Sequence, residues 1–143
     1  MDLAAPIRAA LLADSAITSK MQAYLGSFPI FTRRPVPTAA PYPVVVVSPD
    51  VTVAQSDGVS DQRPAPIRDV AIYGRNDTPA SYRDVEAIAY AVRALFHRRR
   101  GAIIVPGWGV VDITAAGPRA APVDDEQTVG RVVELTVQLA RKD

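Results

Sequence analysis

The stretch Ala40-Pro-Tyr-Pro-Val-Val-Val-Val-Ser48 decides the fold, because a proline-punctuated approach runs directly into four consecutive valines. β-branched side chains suit a pleated strand, and four in succession leave no face of that strand for water. The run therefore predicts a strand that is apolar and covered on both faces. Two kinds of cover are compatible with the sequence: helices on one face and a loop on the other, or an adjoining subunit.

Further strands are predicted on the C-terminal side of the valines. Val51 to Val53 continues the strand pattern, and Gln55-Ser-Asp-Gly58 is a turn-type sequence that favours a β-hairpin with the returning segment. The strand at Arg68 to Tyr73 places Val70 and Ile72 on one face and more polar residues on the other. This alternation predicts a half-buried strand.

The last part of the chain predicts two strands joined by a turn, then a loop and a closing strand. Val105-Pro-Gly-Trp108 has Pro and Gly at the central positions of a type II turn, and Ile103 and Ile104 precede it. Thr114 to Glu126 is polar and small with two prolines, which predicts a long loop or an excursion at a strand edge. In the closing strand, four apolar residues alternate with polar ones: Val133, Leu135, Val137 and Leu139.

Helical spacing predicts two helical regions. The first is a short helix over residues 2–14 with Asp2 as N-cap, followed by a helical turn over Ile17 to Leu25 that Gly26 closes. The main helix opens at Thr78-Pro79, because Thr is a good N-cap and Pro suits the first helical position. Its core-facing stripe recurs every three or four residues: Val85, Ile88, Ala89, Val92, Leu95 and Phe96.

The order of elements and the composition define the class of protein. The elements follow the order helix, loop, strands, helix and strands, with the strands joined by hairpins. This order predicts an α+β fold, with a mixed, mainly antiparallel sheet and two main helices packed on one face. The length fits one domain over residues 1–143. The absence of cysteine excludes disulfides and thiolate metal sites, and neither a secretion signal nor a membrane-length apolar run is expected.

The chain from Ser27 to Pro43 is predicted to be a contact arm. Its five prolines favour extended backbone, and an irregular segment of this length is usually functional or disordered. With 16 Lys+Arg against 15 Asp+Glu, the chain has no general attraction to nucleic acid or membrane, so recognition of protein surfaces is expected. The candidate interface residues are Arg33, Arg34, Pro37 and Tyr42.

The residues that could take part in catalysis or metal binding lack the spacing of a catalytic or metal site. His97 is the only histidine and lies beside three arginines that disfavour a metal ion, so a role at the helix end is expected. Asp124 to Glu126 is interpreted as a solvated acidic turn, because consecutive side chains rarely converge on a cation. Arg98, Arg99 and Arg100 are compatible with a helix cap or with the wall of a DNA channel. No cofactor, metal or catalytic residue is predicted.

Several segments together carry a family pattern. They are the opening helix Ala5 to Asp14, the exit Tyr24-Leu-Gly26, the proline-rich run to Tyr42 with the valine strand, Arg68 to Tyr73, the helix with Tyr82, Val85 and Ala89, and Arg131 to Val137. In this pattern the chain resembles the tail terminator or tail completion proteins of long-tailed phages, including those of prophages and gene transfer agents. The resemblance spans nearly the whole chain and consists of element patterns.

The resemblance implies a single tail-terminator-like domain that assembles into a hexameric ring, caps the completed tail tube and joins the tail to the head. The implied partners are further copies of the chain, the tail tube protein and the head-tail connector protein, with DNA as passing cargo and no membrane. The arm would contact a neighbour or the tube, and Arg98 to Arg100 would face the channel.

The implied location is the tail or neck of a virion, and the host cytoplasm before assembly; no enzymatic activity is expected. The alternatives are another neck, connector or minor tail protein and, from a different class, a small α/β enzyme.

Overall fold

One sheet and three helices form the regular structure of the residues that the computed structural model describes, which are 2–33, 35–48, 52–55, 64–75, 81–123 and 127–142. The helices are α1 (Ala4–Ala13), α2 (Ser15–Thr18) and α3 (Ser81–Phe96). The strands are β1 (Ile30–Phe31), β2 (Val44–Val47), β3 (Thr52–Gln55), β4 (Pro64–Arg75), β5 (Trp108–Ala120) and β6 (Thr128–Arg141).

The sheet is mixed and mainly antiparallel, as the sequence predicts. Its strands pair in the order β1-β2-β4-β6-β5, and β3 also pairs with β4. β1 and β2 are parallel, whereas all the other pairs are antiparallel. The register of β4 against β6 runs from Ile67 opposite Thr136 to Arg75 opposite Thr128, so these two strands form the long centre of the sheet.

The valine strand β2 is buried on both faces by the chain itself. Val45 and Val47 belong to the main core beneath the helices. Val44 and Val46 point to the opposite face, and yet they are only 1% and 2% exposed. Because this burial is complete within one chain, a second subunit is not required to cover the valine run.

The two main helices pack on one face of the sheet, which confirms the predicted two-layer α+β arrangement. From α1 and the residue before it, Leu3, Ile7 and Leu11 are fully buried. The predicted stripe of α3 joins the same core, with Leu95 partly buried and the others fully buried. The sheet residues that face the helices are Val45, Val47, Val70, Ile72, Ile113, Ala115, Val133, Leu135, Val137 and Leu139.

A long strand takes the place of most of the loop predicted for Thr114 to Glu126. β5 continues along β6 through a shift of register between Ala116 and Arg119. This bulge leaves Pro118, which has no N–H to donate, outside the regular ladder. Gly117 adopts φ +102°, a conformation that favours glycine. Of the two alternatives, the long loop was wrong, because a bulge in the edge strand β5 accommodates both residues that would otherwise end the strand.

Two apolar residues expected in regular elements are exposed at turns instead. Leu25 is 86% exposed and forms a tight turn with Gly26, since both have positive φ. The helical turn therefore does not extend to Leu25. The turn before β5 is confirmed by the hydrogen bond from the Trp108 N–H to the Val105 carbonyl (3.0 Å). The strand predicted before this turn is reduced to a single bridge at Val105, and Ile104 is 81% exposed.

Some predicted features lie outside the described residues. They are Val51, the turn residues 56–58, the helix opening at Thr78-Pro79, Arg34 and the acidic residues 124–126. They remain predictions from the sequence.

A small second apolar cluster lies on the sheet face away from the helices. Ala71, Ala121 and Val132 are buried there, and Tyr73 packs against them. Tyr73 lies directly opposite Gly130 in the pairing of β4 with β6. A Cβ at Gly130 would come within 2.9 Å of the Ala121 Cβ and 3.0 Å of two Tyr73 ring carbons. The missing side chain at Gly130 therefore lets Ala121 and the ring close over β6.

We predict that Gly130→Ala destabilises the protein, because the new methyl group forces Ala121 and Tyr73 apart. The expected loss in the free energy of unfolding is about 1–3 kcal/mol, measured by urea denaturation. Gly109→Ala is the matched control in β5, since its Cβ would meet only the Ala140 carbonyl at 3.6 Å. Equal losses in the two variants would contradict the packing described for Gly130.

We also predict that Val46→Asp prevents stable folding, because it places a carboxylate on a face that is withdrawn from water. The expected loss is about 4 kcal/mol or more in the free energy of unfolding. Val111→Asp makes the same change at a β5 position that is 52% exposed, and a much smaller loss is expected there. Cooperative unfolding of Val46→Asp at the wild-type urea concentration would show that this face accepts a charge.

Candidate interaction surfaces

A groove runs beside α1, between this helix and the chain that leaves β1. Its volume is about 510 Å³. The floor is formed largely by small side chains on the outer side of α1, which leave room for a contacting surface. Arg8 is held in place because its Nε donates a hydrogen bond to the Ile30 carbonyl (2.7 Å). The lining residues are Asp2, Ala4, Ala5, Arg8, Ala9, Leu12, Thr32 and Arg33.

Positive charge exceeds negative charge around this groove. The Asp2 carboxylate accepts a hydrogen bond from the Ala4 N–H (2.9 Å) and interacts with the charge of Arg68, which is only 4% exposed. Burial lowers the pKa of Arg68, and the Asp2 carboxylate opposes that shift. Arg68 donates to the Ile67 carbonyl (3.1 Å) through one terminal nitrogen, while its buried Nε lacks a partner in the described structure. Arg33 forms no side-chain hydrogen bond or ion pair within the described ranges.

The proline-rich arm connects this groove to β2 and is exposed over much of its length. Pro35 and Pro37 are exposed, whereas Ala40 is buried and its N–H donates to the Pro37 carbonyl (3.1 Å). Tyr42 is 36% exposed, and the guanidinium of Arg75 lies 5.5 Å from the centre of its ring. The predicted interface residues Arg33, Pro37 and Tyr42 are thus all accessible, and the structure places Arg33 in the groove.

The three arginines at the end of α3 differ in their surroundings. Arg98 has φ +60°, and its N–H donates to the Ile113 carbonyl (2.7 Å). Its guanidinium forms an ion pair with the Asp112 carboxylate. These contacts assign Arg98 a role in ending the helix. Arg99 and Arg100 are exposed, and the channel-facing role of this group stays a prediction.

The end of α3 also covers the outer edge of the sheet. β5 is the last strand of the sheet, so its outward backbone groups have no further strand to bond. The Ala115 N–H donates to His97 Nδ1 (3.1 Å), and the Ile113 carbonyl accepts from the Arg98 N–H. The Asp112 side chain accepts from the Ile113 N–H (2.9 Å). His97 therefore acts at the helix end, as predicted, and it protects a strand edge that the sequence did not reveal.

Arg131 fixes α3 to β6. Its Nε lies 2.5 Å from Glu86 Oε1, and a terminal nitrogen donates to the Tyr82 hydroxyl (3.1 Å). Burial lowers the pKa of Arg131, but the hydrogen bonds to Glu86 and Tyr82 outweigh that effect and raise the pKa overall. This cluster is satisfied internally and holds two elements together.

A pair of carboxylates lies on the sheet face away from the helices. Asp69 of β4 stands directly opposite Glu134 of β6, while their neighbours Val70 and Val133 face the core. Like charges in this position repel each other across the strands. Among the described residues, Arg119 forms an ion pair with Glu134, with its terminal nitrogen 3.9 Å from Glu134 Oε2. Within the described ranges, Asp69 has no side-chain hydrogen bond or ion pair.

No group of three or more His, Cys, Asp and Glu residues that could hold a metal ion occurs in the described part of the chain. None of the described helices is long and apolar enough to cross a membrane.

No protein-family model matches this chain, and no curated protein matches it. Solved structures do match this chain. A chain in the virion of a native gene transfer agent particle superposes with a TM-score of 0.62 at 19% sequence identity. The match covers 99% of this chain and 96% of that chain. The two chains therefore share a fold over almost their whole length.

We predict that His97→Ala weakens the outer edge of β5, because the Ala115 N–H loses its acceptor. The expected loss is about 1 kcal/mol in the free energy of unfolding, together with faster amide hydrogen exchange at Ala115. His97→Asn is the control, since its side-chain oxygen can accept in nearly the same place, and it should restore slow exchange. Unchanged exchange at Ala115 in His97→Ala would refute this role.

Proposed function

We propose that this chain is a structural subunit of a phage-like virion, a tail terminator whose ring caps the completed tail tube and joins the tail to the head connector. The observation that carries the proposal is the shared fold with a gene transfer agent virion chain over nearly the full length of both. The element pattern of the sequence, from the opening helix to the closing strand, supports the same family.

The mechanism would be geometric rather than chemical. One face of a hexameric ring would copy the contact that tube subunits make with each other, and the other face would be unable to accept a further layer of tube. Residues 1–143 would form one tail-terminator-like domain, with copies of itself, the tube protein and the connector protein as partners and DNA as passing cargo. The virion tail or neck would be its final location, after assembly in the host cytoplasm.

The surface of the described chain supports a role in protein contacts. The accessible residues of the arm, Arg33, Pro37 and Tyr42, all belong to the segment between β1 and β2, and so does Arg34 in the sequence. Near-neutral net charge suits a subunit that binds other proteins. In this proposal Arg99 and Arg100 are the residues available to face DNA, because Arg98 already pairs with Asp112.

We predict that particles produced without this protein have overlong tails that are not attached to heads. A tube that lacks its cap should continue to grow and should have no surface for the connector. Electron microscopy of lysates from a deletion strain measures both properties, and the same strain supplied with the intact gene is the control. Filled heads without any tails would instead indicate a connector or another neck protein, and complete particles of normal tail length would refute a terminator.

A further inference from the structure

We infer that the groove beside α1 binds Asp69 and Glu134 of a second copy of this chain. In this contact the guanidinium of Arg33 lies between the two carboxylates. This inference rests on the proposed function, because it specifies how copies of the subunit meet in a ring.

The groove supplies the positive side of this contact. Asp2 is the one carboxylate that lines the groove and it also faces the buried charge of Arg68, whereas Arg8 and Arg33 form no ion pair with a described residue. Arg8 is oriented by its bond to the Ile30 carbonyl, which uses only Nε and leaves the rest of its guanidinium to bind. An arginine binds a carboxylate through two parallel hydrogen bonds, so this groove is suited to an acidic surface.

The opposite face of the same molecule supplies the negative side. Asp69 and Glu134 repel each other across β4 and β6, and Arg119, 3.9 Å from Glu134 Oε2, forms an ion pair with Glu134 alone. Both carboxylates are partly accessible. A guanidinium from outside the chain would relieve the repulsion and would bind both oxygens of a carboxylate at once.

The positions of the two surfaces fit a head-to-tail contact. The groove lies on the helix side of the sheet, whereas Asp69 and Glu134 lie on the other side. A contact between two different surfaces of identical subunits repeats from copy to copy, and it closes into a ring when the rotation allows. A contact through strand addition is disfavoured, because His97 and Arg98 already occupy the middle of the outer edge of β5.

Four other arginines are less available than Arg33. Arg98 pairs with Asp112, and Arg131 pairs with Glu86. Arg75 and Arg141 lie against the rings of Tyr42 and Trp108. Arg33 is exposed, sits in a concave surface and lacks a partner within the described residues.

The test is a charge exchange within one chain, with self-association measured by analytical ultracentrifugation over a range of protein and salt concentrations. The wild-type chain is expected to self-associate, and more weakly at high salt because salt screens the contact. Arg33→Glu and Asp69→Arg are each expected to weaken association about tenfold or more. The double variant Arg33→Glu/Asp69→Arg should regain association, since the charges are exchanged and the contact is kept.

Arg83→Glu is the matched control, because Arg83 is an exposed arginine on α3 outside the groove, and it should associate like the wild type. Asp69→Asn removes the charge at nearly constant size, so it must also weaken association even if Asp69→Arg does not fold. Three results would overturn the contact. The wild-type chain could stay monomeric, Arg33→Glu could associate as tightly as the wild type, or the double variant could associate as weakly as the single variants. Overlong tails in the deletion strain would then still support the proposed function, so the two ideas can fail separately.

Discussion

Removal of both faces of the valine strand β2 from water is the constraint on which the rest of the structure depends. Four consecutive valines in β2 put apolar side chains on both faces of the strand, so neither face can be exposed to water. The helices α1 and α3 cover one side. On the other side, Ala71, Ala121 and Val132 form a small cluster that tolerates no side chain at Gly130. The two layers, the long antiparallel centre and the tight packing around Gly130 all follow from this burial.

The edges of the sheet are the second structural problem, and the chain solves it mostly with its own residues. At one edge, β1 pairs with β2 over two residues. At the other edge, the end of α3 supplies an acceptor from His97 and a donor from Arg98 to β5. With the middle of this edge already bonded, contacts between subunits are left to side chains such as Arg33, in keeping with a subunit that assembles through defined surfaces.

Local patterns predicted much of the fold. The stripe from Val85 to Phe96 and the alternation from Val133 to Leu139 each repeat with one clear period, so their elements and buried faces were predicted correctly. The sequence failed at Gly117 and Leu25, where the local signal and the tertiary structure disagree. A bulge within β5, which continues to pair with the long strand β6, accommodated Gly117, and a tight turn placed Leu25 in solvent.

By itself the sequence determined most of the helices and strands and which sides of them would be apolar, because these properties depend on neighbours a few residues apart. Tertiary structure alone decided that His97 meets Ala115, that Arg33 shares a groove with Arg8, and that Asp69 faces Glu134. Each of these contacts joins residues far apart in the chain. Their partners are selected by strand register and helix packing, which no local period encodes.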